Sequence, residues 1–256
     1  MLNRNRNDTR HGFSRRSVSA LLVSFGVLPA AGSAGQAFAP LNLPREVAGI
    51  TLPRSRLAMA AASFSRNACP DFLFNHCMRT YVFGALALHR QKLSYNADLA
   101  FVASSLHDLG LLPAFESPKL SFEIDGANAA ERFARSAGSS AADANSVWFD
   151  VALHAGRFAI TRRMGPDAML VALGAASDVD GPDLDTEDEK KQMAEIVVAF
   201  PRLQFKHKLT SLLVDHCKRK PTSQRGTWLE GLCREQVPSA WSDTVEKEIA
   251  GSPFAE

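Results

Sequence analysis

The sequence predicts an all-α protein with one domain, and three observations lead to this fold class. First, apolar residues recur at three- and four-residue steps in segments such as "PDFLFNHCMRTYVFGALALHRQK". Second, residues typical of helix ends frame these segments, as Asn96 and Gly110 frame "NADLAFVASSLHDLG". Third, no convincing stretch alternates between apolar and polar residues over the length of a strand, and no internal repeat is present.

The predicted helices follow one another from Pro70 to near the C-terminus. The preceding residues, 40–64, include prolines and show no strong period, which predicts an extended lead-in. A capping pattern begins one later helix at Thr186, and Pro201 ends it. The helical domain is therefore assigned to residues 65–256, with helices predicted over 70–92, 96–110, 126–138, 140–156, 165–179, 186–200, 203–220, 224–234 and 239–250.

The first 39 residues are typical of an export signal. A basic start precedes a stretch of mostly apolar or small residues, 18–31, and then a region rich in Ala, Gly and Ser. Arg15-Arg16 within "SRRSV" resembles the twin-arginine type of signal, which predicts export to the periplasm. The alternative is a disordered basic tail before a short apolar patch. We expect cleavage after Ala34, Ala37 or Ala39.

The charge balance gives no reason to expect a nucleic-acid partner. The whole chain has a formal charge of +2, and residues 1–39 contain five Arg and one Asp, which leaves −2 on the rest. The apolar part of the signal has only about a dozen residues, fewer than the roughly 20 that a membrane-spanning helix needs. We therefore expect a small-molecule substrate as partner, with no stable membrane anchor once the signal is removed.

Four cysteines bear on the expected compartment, because disulfides persist in exported proteins. Cys69 and Cys77 are eight residues apart, about 12 Å along a helix, which is too far for a bridge within one helix. A bridge between Cys217 and Cys233 and a set of four free thiols both remain open. No pair has CxxC spacing, so the cysteines do not indicate a thiolate zinc site.

Four of the predicted helical segments each place a His or an Asp in apolar surroundings. They carry, in order, His76, the doublet His107-Asp108, His154 and Asp178. Each buried polar group needs a partner, and one shared divalent cation would satisfy several at once. Two imidazoles and two carboxylates would also balance its charge. The remaining histidines of the helical domain stand beside charged residues and are interpreted as positions without a functional role: His89, His207 and His216.

The series of histidines and aspartates resembles the H…HD…D pattern of the HD-domain metalloenzyme superfamily. Within it, "NHCMRTYVFG" is similar to a segment of the cyanamide hydratase-like branch. Five later segments echo that branch in the same order over roughly residues 65–235: "LHDLGL", "SFEIDGANAA", "ALHAG", "DAMLVALGAASDVDG" and "FPRLQFK" followed by "KPTS". The resemblance implies a single HD-domain-like helical bundle with a central metal site.

The resemblance also implies a role for particular residues. The metal ligands would be His76, His107, Asp108 and Asp178. His154 would line the pocket near the metal, Asn75 and Arg79 would support the first ligand helix, and Glu123 would face or buttress the site. The cofactor would be one divalent ion. Imidazole ligands favour Zn or Fe, and the oxygen ligands also allow Mn or Mg.

Two departures from the family pattern bear on the substrate. Members of the cyanamide branch place a hydroxyl residue after the histidine equivalent to His154, whereas this chain has Ala155. HD-domain nucleotidases carry a glutamate three residues after the aspartate of the doublet, whereas this chain has Leu111. The first departure weakens the cyanamide assignment, and the second weakens the phosphatase assignment.

The chemistry expected first is metal-dependent hydration of a cyanamide- or nitrile-type molecule, with His154 and Asp108 moving the proton. The alternative is hydrolysis of a nucleotide or other phosphoester, which requires cations around the phosphate oxygens. Few basic residues lie near the doublet, which argues against phosphate, but three arginines follow His154 and would serve it: Arg157, Arg162 and Arg163. A third hypothesis is an exported binding protein with a structural metal, whose coordination would be closed.

Overall fold

The computed structural model of the chain describes residues 41–156, 158–182, 184–242 and 244–253. The predicted export signal, residues 1–39, lies outside the described residues. The all-α prediction is confirmed for the described part. The helices are α1 (Arg56–Ala68), α2 (Asp71–Arg90), α3 (Ala97–Leu106), α4 (Phe122–Ser136), α5 (Ala141–Ala152), α6 (Phe158–Met164), α7 (Pro166–Asp180), α8 (Glu187–Ala199), α9 (Phe205–Arg219), α10 (Glu230–Gln236) and α11 (Val245–Ala250).

The predicted lead-in contains structure that its sequence does not reveal. Two-residue strands, β1 (Glu46–Val47) and β2 (Ile50–Thr51), pair antiparallel. Ala48 and Gly49, with φ of 53° and 79°, form the tight turn between them. Strands of two residues are too short to show alternation, which is why no strand was expected. Helix α1 also begins inside the lead-in, where the Ser55 side chain accepts a hydrogen bond from the Ala58 amide.

Helices α2 and α7 pack closely against each other in the core. A Cβ added to Gly84 would lie 2.1 Å from the carbonyl oxygen of Leu170, and one added to Gly174 would lie 1.8 Å from that of Thr80. Any side chain at either glycine would therefore force the two helices apart. Because these helices carry the first and the last of the predicted metal residues, the glycine contacts fix how close those residues lie.

Side-chain caps fix the starts of three other helices. Asn96 accepts a hydrogen bond from the amide of Leu99 at the start of α3, and Ser140 caps α5 in the same way. At the start of α8, Thr186 and Glu189 form a reciprocal capping box. The capping pattern predicted at Thr186 is therefore present, and α8 ends at Ala199, before Pro201.

The cysteines form one bridge and leave one pair of thiols. Cys217 in α9 and Cys233 in α10 are joined by a disulfide, so the first of the two open alternatives is the correct one. Cys69 and Cys77 are free and buried, as expected. They do not share a helix, because α1 ends at Ala68 and α2 begins at Asp71. In the described ranges, no helix has the length and apolar character to cross a membrane.

Candidate metal centre

Four elements bring the predicted polar residues to one buried place. His76 lies in the second turn of α2, and His107 is the C-terminal cap of α3. Asp108 follows and starts a short 3-10 turn. His154 stands two residues beyond the end of α5, and Asp178 lies in the last turn of α7. All five side chains are buried, which supports the inference that they satisfy one another or a shared ion.

Close packing fixes the turn that carries the doublet. A Cβ on Gly110 would lie 2.0 Å from the carbonyl oxygen of Phe122, at the start of α4. This position therefore requires glycine. The sequence indicated Gly110 as a helix-end signal, and the structure adds that it lets the turn after Asp108 pack directly onto α4.

His107 and His154 are oriented by the same local device at a helix end. Their Nδ1 atoms lie 2.8 Å and 2.6 Å from backbone carbonyl oxygens three residues earlier, of Ser104 and Val151 respectively. A carbonyl oxygen only accepts, so Nδ1 carries the proton in both rings. The Nε2 atom of each neutral ring is then an unprotonated lone pair that points away from its helix, as a metal ligand requires.

His76 is oriented by a carboxylate instead. Its Nδ1 lies 2.7 Å from Oδ2 of Asp178, and it donates to that ionised oxygen. Its Nε2 therefore faces the opposite way, towards the doublet. A carboxylate behind a histidine is the usual outer partner of a metal-ligating imidazole, because it fixes the ring and raises its basicity.

Three potential ligand atoms converge at distances that suit a metal ion. The Nε2 atoms of His76 and His107 are 3.2 Å apart, and each lies 3.4 Å from Oδ2 of Asp108. A tetrahedral ion with bonds of about 2.1 Å keeps its ligand atoms about 3.4 Å apart. Two neutral acceptor nitrogens at 3.2 Å repel each other unless a positive species lies between or beside them. The buried group His76–His107–Asp108 can therefore hold a metal ion.

Asp178 does not join this group. Its carboxylate lies on the Nδ1 side of His76 and forms two hydrogen bonds with Arg79, at 2.8 and 2.7 Å, and one with Arg202, at 2.6 Å. The resemblance implied a direct-ligand role for Asp178, whereas here its oxygens accept hydrogen bonds from His76 and two guanidinium groups. Arg202 was not singled out as a site residue, although it lies within the segment "FPRLQFK" on which the resemblance rests.

Burial and neighbouring positive groups shift the pKa values of the acidic residues in opposite directions. Burial alone would raise the pKa of Asp178, but hydrogen bonds from His76 and Arg79 outweigh it and hold that pKa below its usual value. The pKa of Asp108 is likewise lowered well below normal, because the surrounding imidazoles outweigh its burial. Both carboxylates are therefore ionised at neutral pH and supply the negative charge that a divalent ion needs.

Burial and nearby carboxylates also compete in setting the pKa values of the histidines, and the outcome differs between the rings. Burial opposes protonation of His76, but Asp108 and Asp178 outweigh it and raise the pKa of that ring. Burial lowers the pKa of His107 and outweighs the attraction of Asp108. His107 is therefore the neutral, ligand-ready ring, and His76 is the ring whose proton competes with a bound cation.

His154 lies across Asp108 from the other two rings. Its Nε2 is 3.6 Å from Oδ1 of Asp108, and its ring packs edge-on against His107 with the ring centres 4.7 Å apart. The ring of Phe122 covers another face, at 5.5 Å. The side chain is thus close to the metal group without belonging to it.

The remaining predicted site residues lie around the centre. The Asn75 amide donates to the carbonyl oxygen of Pro201 at 2.8 Å, which ties α2 to the segment after α8. Arg79 is completely buried and also donates to the carbonyl of Phe200. Glu123 is buried, and burial raises its pKa. Its Oε2 has no hydrogen-bond partner among the described residues.

A cavity of about 360 Å³ opens beside the metal group. His76, His107, Asp108 and His154 form its polar end. The other lining residues are mainly apolar and come from five elements and the segment before α10, with Leu111, Phe122, Phe158, Leu173, Val179, Leu209, Leu213 and Trp228 among them. Leu111 and Ala155, the two residues at which the sequence departs from the patterns that it resembles, both line this cavity.

The apolar walls and one histidine were missed in the sequence. An apolar residue at helical spacing has the same pattern whether it lines a cavity or fills a core, so no signal distinguished Leu209 or Leu213. His216, expected to have no role, is completely buried. It is hydrogen-bonded to Glu116 at 2.8 Å and to Gln224 at 2.9 Å, and its ring lies behind Phe122. It supports the cavity wall.

No protein-family model matches the chain, and a search of curated proteins finds no significant match.

Proposed function

We propose that the protein is a metal-dependent enzyme that adds water to a small uncharged molecule, with hydration of a cyanamide- or nitrile-type group as the reaction. One observation carries the proposal. Three imidazoles, each with Nδ1 committed to an acceptor, present Nε2 around the carboxylate of Asp108 at the end of an apolar cavity. The resemblance to the cyanamide hydratase-like branch supports the same reaction.

His76, His107 and Asp108 are the proposed ligands, with Zn or Fe favoured by the two imidazoles. When bound, such an ion supplies an activated water and polarises the substrate atom that faces it. A zinc ion held by these three residues would have fewer protein ligands than a closed structural site, as catalytic zinc sites do. The cavity beside these ligands gives a substrate access to that ion.

His154 is the proposed proton carrier. Hydration joins the water oxygen to the nitrile carbon, and one water proton must reach the nitrile nitrogen. Nε2 of His154 lines the cavity and lies within 3.6 Å of Asp108, so it can accept that proton and return it to nitrogen. No group leaves the substrate, and the product tautomerises to an amide.

The charge of the cavity favours a neutral substrate over a phosphoester. Its described lining includes the carboxylates of Asp108 and Asp180, and it contains no Lys or Arg. Arg162 and Arg163 are exposed on α6 and do not line the cavity, and Arg157 lies outside the described residues. Among the described lining residues, a phosphate group would meet carboxylates and none of the cations that its transfer requires.

We also propose that the protein is exported through its twin-arginine-type signal. The disulfide between Cys217 and Cys233 supports this proposal, because such bonds persist in oxidising compartments. Fractionation of cells that express the full chain, with and without Arg15→Lys and Arg16→Lys, tests it. Retention of the double variant in the cytoplasm is expected, and unchanged export would contradict the assignment.

A paired assay tests the enzymatic proposal. Metal-loaded protein is incubated with cyanamide and small nitriles, and in parallel with nucleotides and other phosphoesters. We expect urea or amide to form without release of phosphate, and the product to disappear in the His107→Ala variant. Phosphate release alone would replace the proposal with phosphoester hydrolysis. No turnover of either class by protein that holds a full complement of metal would favour a structural metal site.

A further inference from the structure

We propose that the substrate is an amphiphilic nitrile-type molecule with an apolar aliphatic or aromatic body, rather than cyanamide itself. The inference deepens the proposed function and rests on it for the identity of the reacting group. Its basis is the size of the cavity and the separation of polar and apolar residues along its walls.

The cavity is large for a compound such as cyanamide. Its volume of about 360 Å³ falls within the range of roughly 300–1,000 Å³ that is typical of sites for drug-sized ligands. A molecule with a handful of heavy atoms would contact the metal group and leave most of the apolar surface exposed to water. A substrate that extends along the cavity removes this surface from water.

With the exception of Asp180, the polar groups of the described lining are concentrated at the metal group. The imidazoles and Asp108 lie together there, whereas Leu209 and Leu213 of α9 supply apolar wall on another side. A substrate that places its nitrile at the imidazoles therefore extends its remaining atoms along aliphatic and aromatic side chains. These side chains can pack against a hydrocarbon body, and they provide few hydrogen-bond partners for hydroxyl, amino or phosphate groups along it.

The outer part of the cavity is also mainly apolar. Trp228 and Phe158 line it and are 55% and 43% exposed, so both stand where the cavity meets solvent. Among the described lining residues, Asp180 is the charged residue at this rim, and it is also exposed. The described residues of the rim therefore suit the end of an apolar body.

A homologous series of nitriles provides the test. Turnover of cyanamide, acetonitrile, butyronitrile, hexanenitrile and benzonitrile is measured with metal-loaded protein. Burial of each added methylene should lower KM about fourfold until the chain reaches the rim. The same KM for every member, or a KM that rises with length, would overturn the inference.

A variant that fills part of the cavity, with a matched control outside it, gives a second test. Ala176 is an exposed residue that lines the cavity on α7, and Ala176→Phe should reduce kcat/KM for hexanenitrile at least about tenfold more than for acetonitrile. Ala142→Phe places the same side chain at an exposed position of α5 outside the cavity and should change neither value. Equal effects of Ala176→Phe on both substrates would contradict the proposed path of the body.

Binding without turnover separates this inference from the proposed function. Trp228 lines the cavity, so its fluorescence should respond to bound nitriles or the matching amides, and Trp228→Phe should remove the response. Length-dependent binding with no hydration of any nitrile would refute the proposed function and retain the apolar ligand class. Hydration of cyanamide with neither binding nor turnover of longer nitriles would refute the inference and retain the function.

Discussion

Asp178→Asn tests how the metal centre is oriented. The substitution preserves the shape of the side chain and removes the charge that accepts from His76, Arg79 and Arg202. An amide has one acceptor oxygen, so it cannot satisfy the imidazole and both guanidinium groups together. The variant therefore loosens the ring of His76 and leaves the buried Arg79 without its full charge partner.

Two effects of different size should follow. Loss of one partner of a buried ion pair costs about 3–5 kcal/mol, so the free energy of unfolding should fall by about 3 kcal/mol in the metal-free protein. Loss of an outer hydrogen bond to a metal-ligating histidine costs about 10–100-fold in metal affinity. At a saturating metal concentration, the stabilisation that the metal provides should then be smaller by about 1.4–2.7 kcal/mol.

Chemical denaturation with and without metal measures both quantities on the same variant. Circular dichroism first establishes that the variant is folded, and competition with a chelator gives the metal affinity directly. Asp180→Asn is the matched control, because it removes one carboxylate charge from the same helix without a hydrogen bond to His76. We expect little change in unfolding free energy for this control.

Either of two results would contradict this role of Asp178. A folded Asp178→Asn variant that binds no metal, as expected for His107→Ala, would show that Asp178 is a direct ligand. A variant with wild-type metal affinity would show that the hydrogen bond to His76 does not orient the ring.

Three further predictions follow from other contacts. His154→Gln should retain stoichiometric metal, as measured by mass spectrometry, and lose about 10²–10⁴-fold in kcat, because the proton carrier is removed. Burial and the charge of Asp167 raise the pKa of Asp150 to about 8, whereas an unfolded Asp ionises near 3.9. Stability from this group is therefore greatest below pH 4 and falls as pH rises towards 8, by up to about 4 kcal/mol between pH 4 and 7. Asp150→Asn should flatten this part of the pH profile of unfolding free energy. Removal of the Cys217–Cys233 bridge by a double Ala substitution should cost about 3 kcal/mol in denaturation, because a loop of 16 residues regains freedom in the unfolded chain.

Each of these predictions has a result that would contradict it. Loss of metal from His154→Gln would make His154 a ligand rather than a proton carrier. The same pH profile in Asp150→Asn and the wild type would show that Asp150 is ionised in the folded protein. Unchanged stability of the double Ala variant, compared with the wild type under oxidising conditions, would show that the bridge does not constrain α9 and α10.

Local rules were enough to predict most of the helices and part of the centre. Recurring apolar residues indicated the long helices. Helix-end signals placed His107 and Asp108 at the end of a helix, where a turn could direct their side chains towards a shared ion. The contact of His76 with the doublet followed from the expectation of a shared partner for buried polar groups. These inferences depend on properties that act within a helix or between adjacent helices.

Features that depend on tertiary packing were not predicted. The side of the His76 ring on which Asp178 lies is set by the close approach of α2 and α7 and by Arg202 after α8, which no local pattern encodes. Helix α6 has only seven residues, too few for a clear period. The cavity walls and the buried His216 likewise follow from how helices distant in sequence meet.

The metal content of purified mature protein tests the central claim most directly. Elemental mass spectrometry of the wild type and of folded His107→Ala, both exposed to Zn and Fe and then desalted, gives the stoichiometry. We predict about one divalent ion per chain in the wild type and none in the variant, because His76 and Asp108 alone are too few ligands. Stoichiometric metal retained by His107→Ala, or none in the wild type, would contradict a centre built on His76, His107 and Asp108.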